Sequence, residues 1–171
     1  MARKEWQRTQ YCGELTESFA GQQVTLDGWV QRTRNLGGVI FVWLRDRTGL
    51  VQVVFSPETC DAETFAVGES LRSEYVVSIT GEVALRAEKD VTDKLKTGKI
   101  EVIAKKATLL NAAATPPIYI DDNADENELV RLKYRYLDLR KPRMQENLRM
   151  RAKVLSTIRR HMDECGFTEV E

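Results

Sequence analysis

Two aromatic rings and an amide recur at alternate positions within a short stretch of this chain. They are Phe41, Trp43 and Gln52, in the run GVIFVWLRDRTGLVQVVF from Gly38 to Phe55, with Arg32 and Arg34 just upstream. That set can hold a single-stranded nucleic acid. A ring that stacks on a base contributes about 1–3 kcal/mol with little sequence preference. The Gln52 amide offers one donor and one acceptor to a splayed base edge, which is how unpaired RNA is read. Arg32 and Arg34 can neutralise phosphates or stack, or can sit as plain surface charges. Stacking is the fuller use of Phe41. Trp43 and Trp29 read instead as packing contacts.

No catalytic constellation accompanies these residues. The single histidine, His161, lies in a basic helical stretch and reads as a surface residue. Cysteines 12, 60 and 165 are odd in number and form no CxxC pair, so neither a disulfide framework nor a zinc site is indicated, and free thiols suit a reducing cytoplasm. NLGGV lacks the GxxxxGK[ST] spacing of a phosphate loop. The basic start, MARKEWQRTQ, is followed by no apolar run, so no signal peptide or membrane span is expected.

The elements that must position the rings are strands. Successive side chains of a strand point to opposite faces. Ile40, Val42 and Leu44 therefore share a core face with Val51, Val53 and Phe55, across the polar turn Asp46–Gly49. Phe41, Trp43 and Arg45 share the outer face, with Gln52 and Val54 opposite the core on the next strand. Upstream, Val24, Leu26 and Val30 alternate, with Gly28 at an inward position. Downstream, helical spacing in Phe65, Ala66 and Leu71 is followed by a strand of one parity, Tyr75, Val77, Ile79, Val83 and Leu85, interrupted by Gly81. The long polar loop DVTDKLKTGK leads to a last strand with Ile100, Val102 and Ala104 inward and Glu101, Ile103 and Lys105 outward. Inward glycines permit the bends a small barrel needs. The order β-β-β-α-β-β with bend glycines in the first and fourth strands is that of a five-stranded Greek-key barrel, the OB-fold, which binds oligonucleotides on its second and third strands.

After Asn111 the texture changes. AAATPPIYIDDNADENE is small, proline-containing and acidic, and reads as a hinge. ELVRLKYRYLDLRKP is helical and is expected to stop near Pro142. A second helix is expected from Arg143 to about Cys165, with Met144, Leu148, Leu155, Ile158, Met162 and Cys165 forming one apolar stripe and Gly166 at the C′ position. FTEVE is expected to begin a strand. Lys plus Arg and Asp plus Glu both number 26, yet residues 131–160 carry eleven Lys or Arg against Asp138 and Glu146, a local charge of +9. That block can face phosphate or be a solvated helix face.

The stretches GQQVTLDGWVQRTRNLGGVIF (21–41), LRDRTGLVQVVF (44–55), LRSEYVVSITGEV (71–83), RLKYRYLDLRKP (131–142) and RAKVLSTIRRHMDECGFTEVE (151–171) together resemble the N-terminal part of bacterial aspartyl-tRNA synthetases, across essentially the whole chain. The barrel alone would be shared with the lysine and asparagine relatives; NLGGVIF combined with RLKYRYLDLRKP favours aspartate. The resemblance implies an OB-fold anticodon-binding domain over 1–110, a hinge over 111–142 and, over 143–171, a long amphipathic helix opening a class II α+β catalytic domain that breaks off inside motif 1. It implies a cytoplasmic ligase that joins aspartate to its tRNA through an adenylate, using ATP and Mg²⁺, as a homodimer and with no membrane partner. The resemblance implies that the motifs which hold ATP and aspartate in the family are absent from this stretch, so it alone is expected to be inactive, with no cofactor or metal of its own.

The resemblance also implies roles for residues. Phe41 matches the aromatic that stacks on the middle anticodon base and Gln52 the residue that reads that uracil. Glu101 matches an acidic residue near the third base. Arg32, Arg34 and Arg86 match basic residues around the loop. Leu36 and Lys89 match the residues of members that reject asparagine tRNA. Trp43 departs from the family, where an acidic residue is frequent. Two other readings of the same residues stand beside this one: a free-standing single-strand-binding OB protein with a helical tail, and a non-catalytic relative that binds a partner protein through the 143–165 stripe.

Overall fold

The computed structural model describes residues 7–170; the basic start of the chain and Glu171, the last residue of the expected strand, lie outside the described residues. Two units divide between Thr115 and Pro116. The first is a closed barrel of five strands: β1 (Gln23–Leu36), β2 (Val39–Arg45), β3 (Leu50–Phe55), β4 (Val76–Leu85) and β5 (Ile100–Asn111). Their order around the barrel is β1-β2-β3-β5-β4, closed by pairing of β4 with β1. All pairs are antiparallel except β3 with β5. Helix α1 (Ala62–Ser70) enters between β3 and β4, capped by Asp61, whose carboxylate accepts from Thr64 N–H at 2.7 Å.

The core is the inward parity of each strand. Val24, Leu26, Val30, Ile40, Val42, Leu44, Val51, Val53, Phe55, Val77, Ile79, Val83, Ile100, Val102 and Ala104 are buried together. Leu85 departs from the parity expectation: it is the last residue of β4, at the rim beyond the final core layer, and 59% exposed. Two glycines let strands cross closely. A Cβ on Gly28 would lie 2.5 Å from the Arg45 carbonyl oxygen, and one on Gly81 would lie 2.4 Å from that of Ile103. No side chain fits at those contacts.

The register carries three irregularities, one in β1 against β2 between Val30 and Arg32, and two in β4 against β5, between Val76 and Val77 and between Thr80 and Gly81. Each inserts one extra residue, Gln31 in β1 and Leu110 and Lys105 in β5, and inverts the parity beyond it. The β2–β3 turn is held by Asp46. Its buried carboxylate accepts from the Cys12, Thr48 and Gly49 N–H groups at 2.6, 2.7 and 3.2 Å and from the Thr48 hydroxyl at 2.7 Å. Burial and the Asp46 charge push the Cys12 thiol well above its ordinary range, so it is an inert core group.

The second unit contains α2 (Glu128–Lys133), α3 (Arg135–Asp138) and α4 (Pro142–Glu164). The single helix expected over ELVRLKYRYLDLRKP is broken at Tyr134, whose ψ of 43° leaves the helical region. Pro142 starts α4 rather than ending its predecessor: it sits in the first turn, where a missing N–H costs nothing. The α4 helix closes with Gly166 at φ 82°, its N–H donating to Asp163 and that of Phe167 to Met162, a Schellman ending. Its apolar stripe is exposed within this unit from Leu148 onward, and Met144 is half-buried. Residues 167–170 form no strand, since a strand needs a ladder partner and none is present among the described residues.

Asp138 organises the start of this unit. It is fully buried and accepts from Arg131 Nε at 2.9 Å and Arg135 Nη1 at 2.6 Å, with Lys141 Nζ at 3.9 Å. Lys141 in turn pairs with Glu126, which also accepts the Tyr119 N–H at 2.8 Å. Much of the basic block is thus answered from within, and Arg159 pairs with Glu169 at 2.9 Å.

Two outcomes follow from these contacts. Gly81→Ala should cost the barrel about 1–3 kcal/mol by forcing β4 from β5, read as a lower urea midpoint; an unchanged midpoint would refute the close crossing. The hydrogen bonds from Arg131 and Lys141 hold the Asp138 and Glu126 carboxyls below their ordinary values. A carboxyl depressed in the folded state stabilises above its unfolded value and loses that contribution as pH falls. Amide protection across 128–141 should therefore hold from pH 7 to about 5 and fade below about 4. Asp138→Asn should remove most of that acid dependence; an unaltered profile would show that the acid-sensitive group lies elsewhere.

Candidate nucleic-acid interface

The β1 bulge builds the candidate site. Counting by twos from Val24, Leu26 and Val30, Arg32 and Arg34 would point into the core. The extra residue Gln31 turns both outward, so that Arg32 pairs with Trp43 and Arg34 with Phe41. On the other side of β2, Trp43 faces Gln52 and Phe41 faces Val54. The parallel β3–β5 seam, with Val53 beside Val102 and Val54 beside Ile103, carries the rows onward to Glu101 and Ile103. The outer face is therefore two rows across four strands: Arg32, Trp43, Gln52, Glu101, and alongside it Arg34, Phe41, Val54, Ile103.

Within the first row the polar groups are joined. Gln52 Nε2 donates to Glu101 Oε2 at 3.0 Å. The ionised carboxylate is acceptor-only, so it fixes which end of the amide faces it and leaves Gln52 Oε1 and its second N–H for another partner. Arg86, the first residue after β4, places Nε 3.8 Å from the same Glu101 oxygen and donates from Nε to the Ile100 carbonyl at 2.9 Å. Its side chain is 4% exposed, and Nη2 is buried with no hydrogen-bond partner. Burial holds the guanidinium below its ordinary value, against the opposing pull of Glu101 and Asp90.

The remaining candidates are on the surface. Arg34 is exposed and lies over the Trp43 ring, its guanidinium carbon 5.9 Å from the centroid. Trp43 is thus a platform for Arg34, a role the sequence reading did not assign, although period-two spacing already placed both rings on one face. Phe41 is half-buried, and Arg32 is exposed. Leu36, 62% exposed, ends β1 beside the β1–β2 turn. Lys89 is exposed in the 3₁₀ turn Glu88–Asp90 of the β4–β5 connection. These are the two loops that flank the ligand face of an OB barrel. Arg45, expected among the aromatics, donates instead from Nη2 to both oxygens of Glu74, at 2.9 and 2.8 Å, and does not serve the site. Trp29 is half-buried opposite Arg45 and Val76.

Glu101→Ala would strand a buried guanidinium, while Gln52→Ala would remove one partly exposed hydrogen bond. The first should destabilise the barrel by about 2–4 kcal/mol and the second by about 1, measured as urea midpoints. Equal effects would mean that Arg86 does not depend on Glu101.

Comparison with known proteins bears on this face. Residues 24–110 match the family model described as the OB-fold nucleic acid binding domain, and residues 127–171 that of the class II tRNA synthetases (D, K and N). The chain is 52% identical over 164 residues to an aspartate–tRNA ligase of Listeria monocytogenes and likewise 52% identical to an aspartate–tRNA(Asp/Asn) ligase of Symbiobacterium thermophilum. Each match covers 96% of this chain, which spans 28% of the length of those curated relatives. Among solved structures, asparaginyl-tRNA synthetase of Pyrococcus horikoshii with asparaginyl-adenylate superposes with a TM-score of 0.80 at 28% identity, covering 94% of this chain and 35% of that one.

Proposed function

This chain belongs to the OB-fold nucleic acid binding domain family and is homologous over 96% of its length to bacterial aspartate–tRNA ligases, and on that premise we propose that its barrel binds the anticodon loop of an aspartate tRNA. The observation that carries the reading is the pair of rows on the outer face. A half-buried ring, Phe41, lies diagonal to an amide, Gln52, whose orientation a carboxylate fixes. Phe41 stacks on one unpaired base, Gln52 reads its edge, and Arg32 and Arg34 meet the backbone. Glu101 lies next to Gln52. Cytosine shows it an amino donor and uracil a carbonyl acceptor, so it accepts from the first and repels the second. Leu36 and Lys89, on the two flanking loops, complete the preference for a GUC loop over GUU.

The proposal extends to domain roles: residues 1–110 bind the anticodon, 111–142 form the hinge, and 143–171 open the catalytic domain. The whole ligase activates aspartate with ATP and Mg²⁺, works as a homodimer and resides in the cytoplasm. Among the described residues no group of three His, Cys, Asp or Glu side chains is placed to hold a metal ion, and no step of that reaction is assigned to them. No described helix is long and apolar enough to cross a membrane.

Phe41→Ala should weaken binding of an anticodon stem-loop by about 1–3 kcal/mol, measured by fluorescence anisotropy with folding checked by circular dichroism. An unchanged dissociation constant in a folded variant would overturn the stacking assignment.

A further inference from the structure

The β2–β3 turn carries a group of side chains that the base-reading rows do not use. Tyr11 has two guanidiniums over its ring, the Arg8 carbon 4.3 Å from the centroid and the Arg47 carbon 4.4 Å. The two cations are therefore at most 8.7 Å apart, the sum of those distances. A guanidinium over a ring gives the ring its face and keeps its in-plane N–H groups for hydrogen bonds. Two of them on one ring concentrate positive charge, which an anion at the same place offsets.

The backbone around this group is fastened. Asp46 accepts the N–H of Cys12, next to Tyr11, at 2.6 Å, and the Thr48 hydroxyl, next to Arg47, accepts that of Gly13 at 2.9 Å. A Cβ on Gly13 would lie 2.3 Å from the Thr48 carbonyl oxygen, so the two segments touch backbone to backbone. On the other side of Arg8, the Thr9 N–H donates to the Thr25 carbonyl at 2.9 Å and its hydroxyl accepts the Thr25 N–H at 2.8 Å, which ties it to β1. Asp46 is buried and already accepts four hydrogen bonds. In residues 7–15 and 46–49 that leaves Glu14 as the exposed carboxylate against two guanidiniums.

The place of the group points to its partner. Phe41 and Arg45, the last residue of β2, are about 13 Å apart at the ordinary strand rise, and Arg47 follows in the turn. Leu36 and Lys89 mark the opposite end of the strands. An RNA whose unpaired base stacks on Phe41 has a paired stem behind its loop. With the flanking loops at one end of the face, the stem leaves toward the other, where Arg8 and Arg47 stand. A stem presents one phosphate per nucleotide and no unpaired base edge, so cations on a rigid platform suit it and amides do not.

We propose that Arg8 and Arg47, held on the Tyr11 ring, form a phosphate clamp for the backbone of the stem that carries the loop. This rests on the anticodon-loop reading above and adds a second contact, blind to sequence, at the far end of β2.

The test compares two RNAs by anisotropy across a salt series, using the whole chain: a stem-loop, and an unpaired oligonucleotide of the loop sequence alone. Arg8→Gln and Arg47→Gln should each lower the salt slope of log Kd for the stem-loop by about 1, and together by about 2. Neither should alter binding of the unpaired oligonucleotide, and the loss should be the same for GUC and GUU loops. Tyr11→Leu keeps both charges and removes the platform, so stem-loop binding should weaken about two- to fivefold with the slope unchanged. Circular dichroism checks folding. Arg47 is exposed, so Arg47→Gln alone decides the matter if the double variant does not fold. An unchanged slope with the stem-loop, or an equal loss with the unpaired oligonucleotide, overturns the clamp; unchanged stem-loop binding by Tyr11→Leu overturns the ring's part in it. Failure of the native chain to bind either RNA overturns the anticodon reading itself, whereas native binding that neither arginine affects overturns only the stem contact.

Discussion

The barrel depends on a seam between β3 and β5 that registers two residue pairs, Val53 with Val102 and Val54 with Ile103. It is the parallel pairing, and the strands it joins are separated by α1 and β4. Without it the sheet has two open edges and Gln52 has no carboxylate beside it. With it, residues 49 positions apart meet at 3.0 Å. Closure over so short a contact requires strong curvature elsewhere, and curvature is what Gly28 and Gly81 permit by letting carbonyl oxygens approach where a Cβ would collide. The core glycines and the candidate site are therefore parts of one constraint, although none of the site residues is a glycine.

Much of this was legible in the chain itself. Period-two patterning placed Ile40, Val42, Leu44, Val51 and Val53 inward and Phe41, Trp43 and Gln52 outward, and each is so placed. The element order named the barrel because few topologies accommodate three strands, a helix and two strands with bend glycines. What could not be read was the bulge at Gln31. A bulge is a local choice between two pairings that differ by one residue, and alternation alone counts Arg32 and Arg34 as inward. The inward turn of Arg86 was hidden for a related reason. An arginine after a strand reads as a surface charge, and only the fold shows that a carboxylate and two backbone carbonyls wait beneath it.

The distribution of charge was misleading in the same way. A block of +9 over residues 131–160 invites a phosphate-facing reading. Yet Arg131 and Arg135 converge on Asp138, and Lys141 bridges Asp138 and Glu126. Fixed at short distance around a buried carboxylate, these cations stabilise a turn between helices and contribute less to the long-range field than their number suggests. The acidic run ahead of the block is the other half of that arrangement, since Glu126 belongs to it and Asp122 accepts the Arg143 N–H at 3.1 Å.

The outer face also bears on what kind of nucleic acid it suits. A barrel that coats single strands without preference needs several rings in line, because stacking is tolerant of sequence and must be repeated along the strand. Here one of the two rings, Trp43, already has a guanidinium over it, leaving Phe41 to take a base. Next to it stand an oriented amide and an acceptor-only carboxylate. A carboxylate repels phosphate and rejects any base edge that shows only acceptors, so it is a poor component for indiscriminate binding. One stacking ring flanked by groups that distinguish donors from acceptors is a design for reading two or three particular bases, and that is what a loop of fixed sequence presents.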